Sequence, residues 1–131
     1  MSLDVSDDLL ARAEAGEIDP ADFLATVRKS LPYAYDMVER LAAELGADGR
    51  KGFADNLTAP QSEAERGQLL RALASNAIRR SLETHFGVSL AFQNCHRLAV
   101  FPGCAEDTPT YQRFTSERAQ ILNQSALLRD C

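Results

Sequence analysis

Apolar positions recur along most of the chain at helical spacing. The clearest stripe lies in "SLPYAYDMVERLAAELG", residues 30–46, where apolar side chains return every three or four positions. A broader apolar face runs from Ser62 to residue 86, and Gly87 is placed to end that helix. These periods predict an all-α protein, a compact bundle of about five helices around a long central helix at 62–86.

Capping signals predict where the helices begin. Ser6, Asp19, Ser62 and Thr108 each precede an apolar-periodic segment, and Asp19 and Thr108 are each followed by a proline at the first helical position. Pro32 interrupts the pattern after the second helix, because proline lacks the backbone N–H that a helix interior needs. The last helix is expected to begin after Thr108 and to run through "TYQRFTSERAQILNQSALLRDC" to the end of the chain.

Residues 88–101 fit two periods. Val88, Leu90 and Phe92 alternate as in a strand, whereas Val88, Phe92 and Cys95 also fit a helical stripe that continues to Ala99. A helix is favoured, because a hairpin here would leave an isolated two-stranded ribbon in a helical protein. A small hairpin at 88–101 is kept as the alternative.

The whole chain, residues 1–131, is expected to form one domain. Residues 46–61, "GADGRKGFADNLTAPQ", form the one extended irregular stretch and are expected to be a mobile loop. A glycine-rich loop suggests phosphate binding, but the known phosphate-binding fingerprints need a preceding strand and particular glycine spacings, which this stretch lacks.

Composition and charge narrow the class of protein. An apolar fraction of 45% and a charged fraction of 25% are typical of a globular protein, and no apolar run reaches the length of a membrane span. The acidic start "MSLDVSDD" differs from a basic signal peptide, and three cysteines at irregular spacings suit reduced thiols, so a cytoplasmic protein without membrane contact is expected. Residues 1–3 could belong to a leader. The net charge of −5 argues against nucleic-acid binding.

The charge is unevenly distributed. Residues 1–65 carry 14 acidic and 6 basic side chains, a balance of −8, whereas residues 66–131 carry 5 acidic and 8 basic ones, a balance of +3. Opposite halves can attract each other within one fold, or attract a second copy of the chain or another protein. The sequence therefore allows a homo-oligomer or a protein partner.

Four candidate metal ligands or reactive groups lie within residues 85–104: His85, Cys95, His96 and Cys104. The only close pair is Cys95 and His96, and adjacent residues on a helix point apart, so no standard zinc pattern is present. A metal and a cofactor are not expected. Cys104 is the candidate reactive thiol because it follows Pro102 and Gly103 in a turn, although acidic neighbours disfavour its thiolate.

Two arginines fall on apolar helical faces. Arg118 lies within the expected stripe of the last helix and Arg80 near that of the central helix, and a buried guanidinium must be paired or reach solvent. His85 is expected near the middle of the central helix's apolar face, where it needs a hydrogen-bond partner. With His96, these residues form a candidate site for a small anion or small molecule.

Three functions remain open. The first is a non-enzymatic helical interaction protein that associates with itself, because no catalytic motif is present while arginines interrupt two helical faces. The second is a helical domain that binds a small anionic or other small ligand through His85, His96, Arg80 and Arg118. The third is a metal- or thiol-dependent enzyme that uses the His/Cys cluster at 85–104.

Overall fold

The protein combines helices with a small antiparallel sheet. The structure, a computed structural model, describes residues 2–47, 52–94 and 96–123. Its helices are α1 (Asp7–Glu14), α2 (Pro20–Ser30), α3 (Pro32–Ala47), α4 (Glu63–Leu73), α5 (Asn76–Phe86), α6 (Pro109–Phe114) and α7 (Glu117–Leu122). Its strands are β1 (Ala54–Asp55), β2 (Val88–Asn94) and β3 (Arg97–Pro102).

The predicted all-α class is wrong, because residues 88–102 form a β-hairpin within a three-stranded sheet of order β1-β3-β2. β2 pairs with β3 so that Leu90 faces Val100 and Ala91 faces Ala99. The hairpin is not an isolated ribbon, since β1 adds a third strand by pairing Asp55 with Ala99. The alternative that the sequence kept open is therefore the observed structure.

Burial on both faces of the sheet explains the ambiguous period of this segment. Leu98 and Val100 pack with the helical core, which includes Val38 of α3 and Leu82 of α5. The alternate residues, among them Phe101, form a second cluster with Phe114 of α6. A strand covered on both faces carries continuous apolar residues instead of a clean alternation, so its sequence also fits a helical stripe.

The predicted central helix at 62–86 is also wrong, because it is two helices. α4 ends at Leu73, and Ser75 caps a new helix by accepting a hydrogen bond from the Ile78 N–H at 3.2 Å. Gly87, with φ of 67°, ends α5 in the left-handed conformation and leads directly into β2. The chain thus turns from helix to sheet at a glycine that tolerates this backbone geometry.

The predicted last helix is divided in the same way. α6 ends at Phe114, and Ser116 caps α7 by accepting from the Ala119 N–H at 3.1 Å. Residues 124–131, the end of the predicted helix, lie outside the described residues. The predicted caps Ser6, Asp19, Ser62 and Thr108 are confirmed, since each accepts a backbone N–H of its helix. Pro32 begins α3 and separates it from α2, as expected.

The stretch expected to be irregular, residues 46–61, is not irregular throughout. Its described residues include the short strand β1 and two buried polar side chains, Asp55 and Asn56. Residues 48–51 lie outside the described part of the chain. This segment positions the site described next.

Candidate functional site

The turn between β2 and β3 is held by a side chain. The Asn94 Oδ1 accepts hydrogen bonds from the backbone N–H of His96, at 2.8 Å, and of Arg97, at 3.0 Å. The β2–β3 register also shifts between Phe92 and Asn94, which is the signature of a β-bulge. Asn94 therefore fixes the backbone that presents His96 and Arg97, as asparagine commonly does in turns.

Asn56 joins the end of β1 to the same turn. Its Nδ2 donates to the His96 carbonyl at 2.7 Å, and its Oδ1 accepts from the Leu98 N–H at 2.8 Å. The Asn56 backbone N–H also donates to the Leu98 carbonyl at 3.2 Å. A buried asparagine side chain thus continues the ladder of β1 beyond the strand and satisfies buried backbone groups of β3.

Asp55 and Arg97 form an ion pair beside Asn56. The Arg97 Nε and Nη2 lie 3.1 Å and 2.5 Å from the Asp55 Oδ2. The carboxylate is almost fully buried, with 5% of its side chain exposed, whereas 39% of the arginine side chain is exposed. The guanidinium also lies over the Phe114 ring, 5.8 Å from its centroid. Arg97 thus compensates a buried charge while remaining partly solvated.

These residues surround a cavity of about 220 Å³, called here the turn pocket. It is lined by residues from the end of β1, the hairpin turn and the end of α7: Asp55, Asn56, Leu57, Ala59, Asn94, His96, Arg97 and Asn123. Five of the eight carry an amide, a carboxylate or a guanidinium, and one is a histidine. Most of the lining residues are therefore polar in type, and they come from three separate parts of the chain.

His96 is the unusual member of the lining. The residue is only 4% exposed, and neither Nδ1 nor Nε2 has a hydrogen-bond partner among the residues that the structure describes. The Nδ2 of Asn123, on the same pocket, is also buried and has no partner within the described ranges. Leaving a buried polar group unpaired costs roughly 1–3 kcal/mol, so these atoms need a partner that the described residues do not supply.

The chemistry that these atoms require can be stated without choosing a tautomer. A neutral imidazole has one N–H, which needs an acceptor, and one bare nitrogen, which needs a donor. The Asn123 amide nitrogen adds two N–H groups that need acceptors. A molecule with oxygen acceptors and at least one donor would satisfy the set.

Of the residues expected to bind a ligand, only His96 lies on the turn pocket. Arg80 and His85 instead line a separate groove between α2 and α5, with a volume of about 570 Å³, called here the α2–α5 groove. Arg118 is exposed on α7 and lines neither surface. The four residues therefore do not form one site.

The expected burial of His85 is wrong, because the residue is exposed, with its Nε2 3.4 Å from the Tyr35 hydroxyl. Arg118 is exposed on α7, which is one of the two outcomes expected for its guanidinium. His85 lies in the last turn of α5, beyond the buried Ile78 and Leu82 of the same helix. The apolar neighbours of Arg118 on α7, Ile121 and Leu122, are themselves exposed.

The candidate thiol Cys104 lies apart from both histidines. It is exposed, with φ of 62°, in a shallow depression that it shares with Glu83, Ser89 and Glu106. The Ser89 hydroxyl donates to the Glu106 carboxylate at 3.0 Å. Cys95, the other residue of the expected cluster, lies outside the described residues. Within the described ranges, no three histidine, cysteine, aspartate or glutamate side chains cluster closely enough to hold a metal ion.

Sequence reasoning missed most of the turn pocket: Asp55, Asn56, Asn94, Arg97 and Asn123. The available signal was the run of polar residues from 93 to 97 inside an otherwise apolar segment, which marks a turn between strands. The two polar residues at 55 and 56 offered no such signal, because their burial depends on pairing with β3.

No helix among the described residues is long and apolar enough to cross a membrane.

Comparison with known proteins identifies a family for this chain. Searches for similar curated proteins and for similar solved structures found no match. The model of one family, described as "NucS shadow ORF", matches residues 1–131. Since this match spans the full sequence, the chain belongs to the NucS shadow ORF family.

Proposed function

We propose that this protein binds a small polar molecule in the turn pocket. The observation that carries the proposal is the His96 ring, which is 4% exposed and whose two nitrogens have no partner among the described residues. The Nδ2 of Asn123, which lines the same pocket, lacks a described partner as well. A folded chain keeps such groups unpaired at a cost in stability, and this is common where a site is shaped for a ligand.

The remaining polar groups of the pocket support binding in a different way. Asn56, Asn94 and the Asp55–Arg97 pair already bond to the backbone or to each other, which fixes the pocket walls. Ligand sites are typically preformed in this manner, with few polar groups left to orient the ligand. Here His96 and Asn123 are those groups.

The ligand class follows from the unpaired atoms. The N–H groups of His96 and of the Asn123 amide call for oxygen acceptors, and the bare imidazole nitrogen calls for a hydroxyl or amide donor. Small hydroxy acids and primary amides carry both kinds of group.

A thermal-shift screen tests this proposal. The screen would compare small hydroxycarboxylates, primary amides and inorganic phosphate against hydrocarbons of similar size. A ligand that binds only the folded state should raise the melting temperature by roughly 10 °C when its concentration is about a hundred times Kd.

Matched histidine variants make the screen specific. His96→Phe removes both nitrogens and should abolish the response, whereas His85→Phe changes the other, exposed histidine and should preserve it. A flat screen with the unaltered protein would contradict the proposal and would leave ordered water as the partner of these atoms. An equal response in the His96→Phe variant would place the ligand elsewhere.

Self-association and a cytoplasmic location stay predictions. The charge asymmetry between the two halves of the chain is the support for self-association. Light scattering after size exclusion tests it, and a monomer at high protein concentration would contradict it.

A further inference from the structure

The α2–α5 groove is a concave surface separate from the turn pocket, with which it shares no lining residue. From the α2 side it is lined by Ile18, Pro20, Ala21, Phe23 and Leu24; from the α5 side by Ala77, Arg80, Ser81, Thr84 and His85. Its volume of about 570 Å³ lies within the range of roughly 300–1,000 Å³ that is typical of small-molecule sites.

The two sides of the groove differ in chemistry. The α2 side is entirely apolar, and Ile18 there leaves 67% of its surface exposed. The α5 side carries two hydroxyls, a histidine and Arg80. When His85 is neutral, Arg80 is the only charged residue of this lining. Arg80 forms no ion pair with a described residue, and no acid lines the groove.

An apolar wall facing an uncompensated guanidinium is complementary to an amphiphilic anion. The hydrocarbon part would cover Phe23, Leu24 and Ile18, and the carboxylate would contact Arg80, whose planar group suits carboxylate oxygens. Transfer of hydrocarbon from water to this wall supplies the driving force, and the charge selects the head group.

The size of the groove favours a small molecule over a protein partner. Ten residues line it, whereas stable protein interfaces use roughly 20–30 residues on each side. We infer that the α2–α5 groove binds a small amphiphilic carboxylate, with its chain on α2 and its head group at Arg80. This inference is independent of the turn pocket.

Calorimetric titration with decanoate tests the inference. Decanol and decyltrimethylammonium are the neutral and cationic controls with the same chain length, and all three are kept below the concentration at which micelles form. Decanoate should bind saturably with one molecule per chain, decanol more weakly and the cation more weakly than decanol. Arg80→Gln should weaken decanoate binding about threefold, as for an exposed ion pair, and leave decanol binding unchanged. Arg118→Gln removes the same charge from an exposed site outside the groove and should change neither.

Two further variants obstruct the groove from opposite helices. Ala77→Trp and Ala21→Trp both replace exposed alanines, so the fold should persist, and each should lower decanoate affinity at least about tenfold. Circular dichroism and the melting temperature verify folding. His96→Phe should leave decanoate binding intact, which separates this site from the turn pocket.

Several results would overturn the inference. These are absence of saturable decanoate binding, equal binding of the cation, equal effects of Arg80→Gln and Arg118→Gln, or full affinity in both tryptophan variants. A dimer that Ala77→Trp converts to a monomer would assign the groove to a second copy of the chain instead.

Discussion

The Asn56 side chain bonds to the backbone on both sides of Arg97, donating to the His96 carbonyl at 2.7 Å and accepting from the Leu98 N–H at 2.8 Å. One side chain therefore joins the segment after β1 to the start of β3. Asn56, His96 and Leu98 are all buried, so water cannot replace these bonds unless the structure opens locally. The wall of the turn pocket depends on this connection.

Asn56→Ala should lower the free energy of unfolding by about 3 kcal/mol, because it leaves a buried carbonyl and a buried N–H unpaired. Urea unfolding measures this. Asn76→Ala is the control, since Asn76 is exposed at the start of α5 and its loss should change stability by no more than about 0.5 kcal/mol. Equal effects of the two substitutions would show that the Asn56 bonds contribute little.

His96→Leu should raise the free energy of unfolding by about 1 kcal/mol. The substitution removes two buried nitrogens that have no partner and keeps a buried side chain of similar bulk. His85→Leu should have no comparable effect, because His85 is exposed. Chemical unfolding without added ligand is the measurement, and a destabilised His96→Leu variant would indicate that the ring nitrogens are satisfied in solution.

The Asp55–Arg97 pair should respond asymmetrically to mutation. Arg97→Met leaves a carboxylate with 5% exposure unpaired and should cost about 3 kcal/mol. Asp55→Asn leaves an arginine that is 39% exposed and can be solvated, and should cost only about 1 kcal/mol. Urea unfolding near neutral pH compares the two, and an equal or reversed order would contradict the burial assigned to Asp55.

Much of the fold could be predicted from local signals, and the main errors have two physical causes. Serine caps helices but also occurs within them, and the residue type alone does not distinguish the two positions. Ser75 and Ser116 are caps in the structure, and without that distinction the two helices at each position are predicted as one. The exposure of His85 has another cause: it shares α5 with the buried Ile78 and Leu82 but lies in the last turn of that helix, and how far the core extends along a helix is not encoded in its period.

The second cause concerns the sheet. Leu98, Ala99 and Val100 are all buried because helices cover both faces, so the alternation that identifies a strand is absent. The pairing of Asp55 with Ala99 joins residues more than forty positions apart, which no local pattern encodes. Of the residues that line the turn pocket, only His96 was predicted. Histidine is a candidate ligand by its residue type alone, whereas its neighbours become candidates only because the pairing of β1 with β3 brings them together.

Gly87→Ala should destabilise the protein by about 1 kcal/mol. Gly87 has φ of 67° at the junction of α5 and β2, and nothing lies within 4 Å of an added Cβ, so the cost is backbone strain and not a clash. Gly46→Ala is the matched control, because Gly46 lies in α3 with open space around it, and there alanine should stabilise by about 0.5–1 kcal/mol. Opposite signs in thermal unfolding are expected, and two stabilising substitutions would contradict the left-handed junction.

Alkaline pH should weaken the fold through two tyrosines. Burial raises the pKa of Tyr111 above 10.0, with Glu106 and Glu83 adding to the effect, and burial with Glu65 raises the pKa of Tyr33 in the same direction. The folded state therefore holds these phenolic protons more tightly than the unfolded state. The contribution of these two tyrosines to the free energy of unfolding is fully present below the pKa that tyrosine has in the unfolded chain. It falls as the pH rises through that pKa, because the unfolded chain then releases protons that the folded chain retains.

Ultraviolet titration of the phenolate band should show Tyr33 and Tyr111 ionising later in the folded protein than in urea. Unfolding at a series of pH values should show stability decreasing above about pH 10. The double variant Tyr33→Phe and Tyr111→Phe should have a smaller decrease, since phenylalanine has no proton to release. An equal decrease in the variant would assign the alkaline loss to other groups, and earlier ionisation in the folded state would reverse the sign derived from burial.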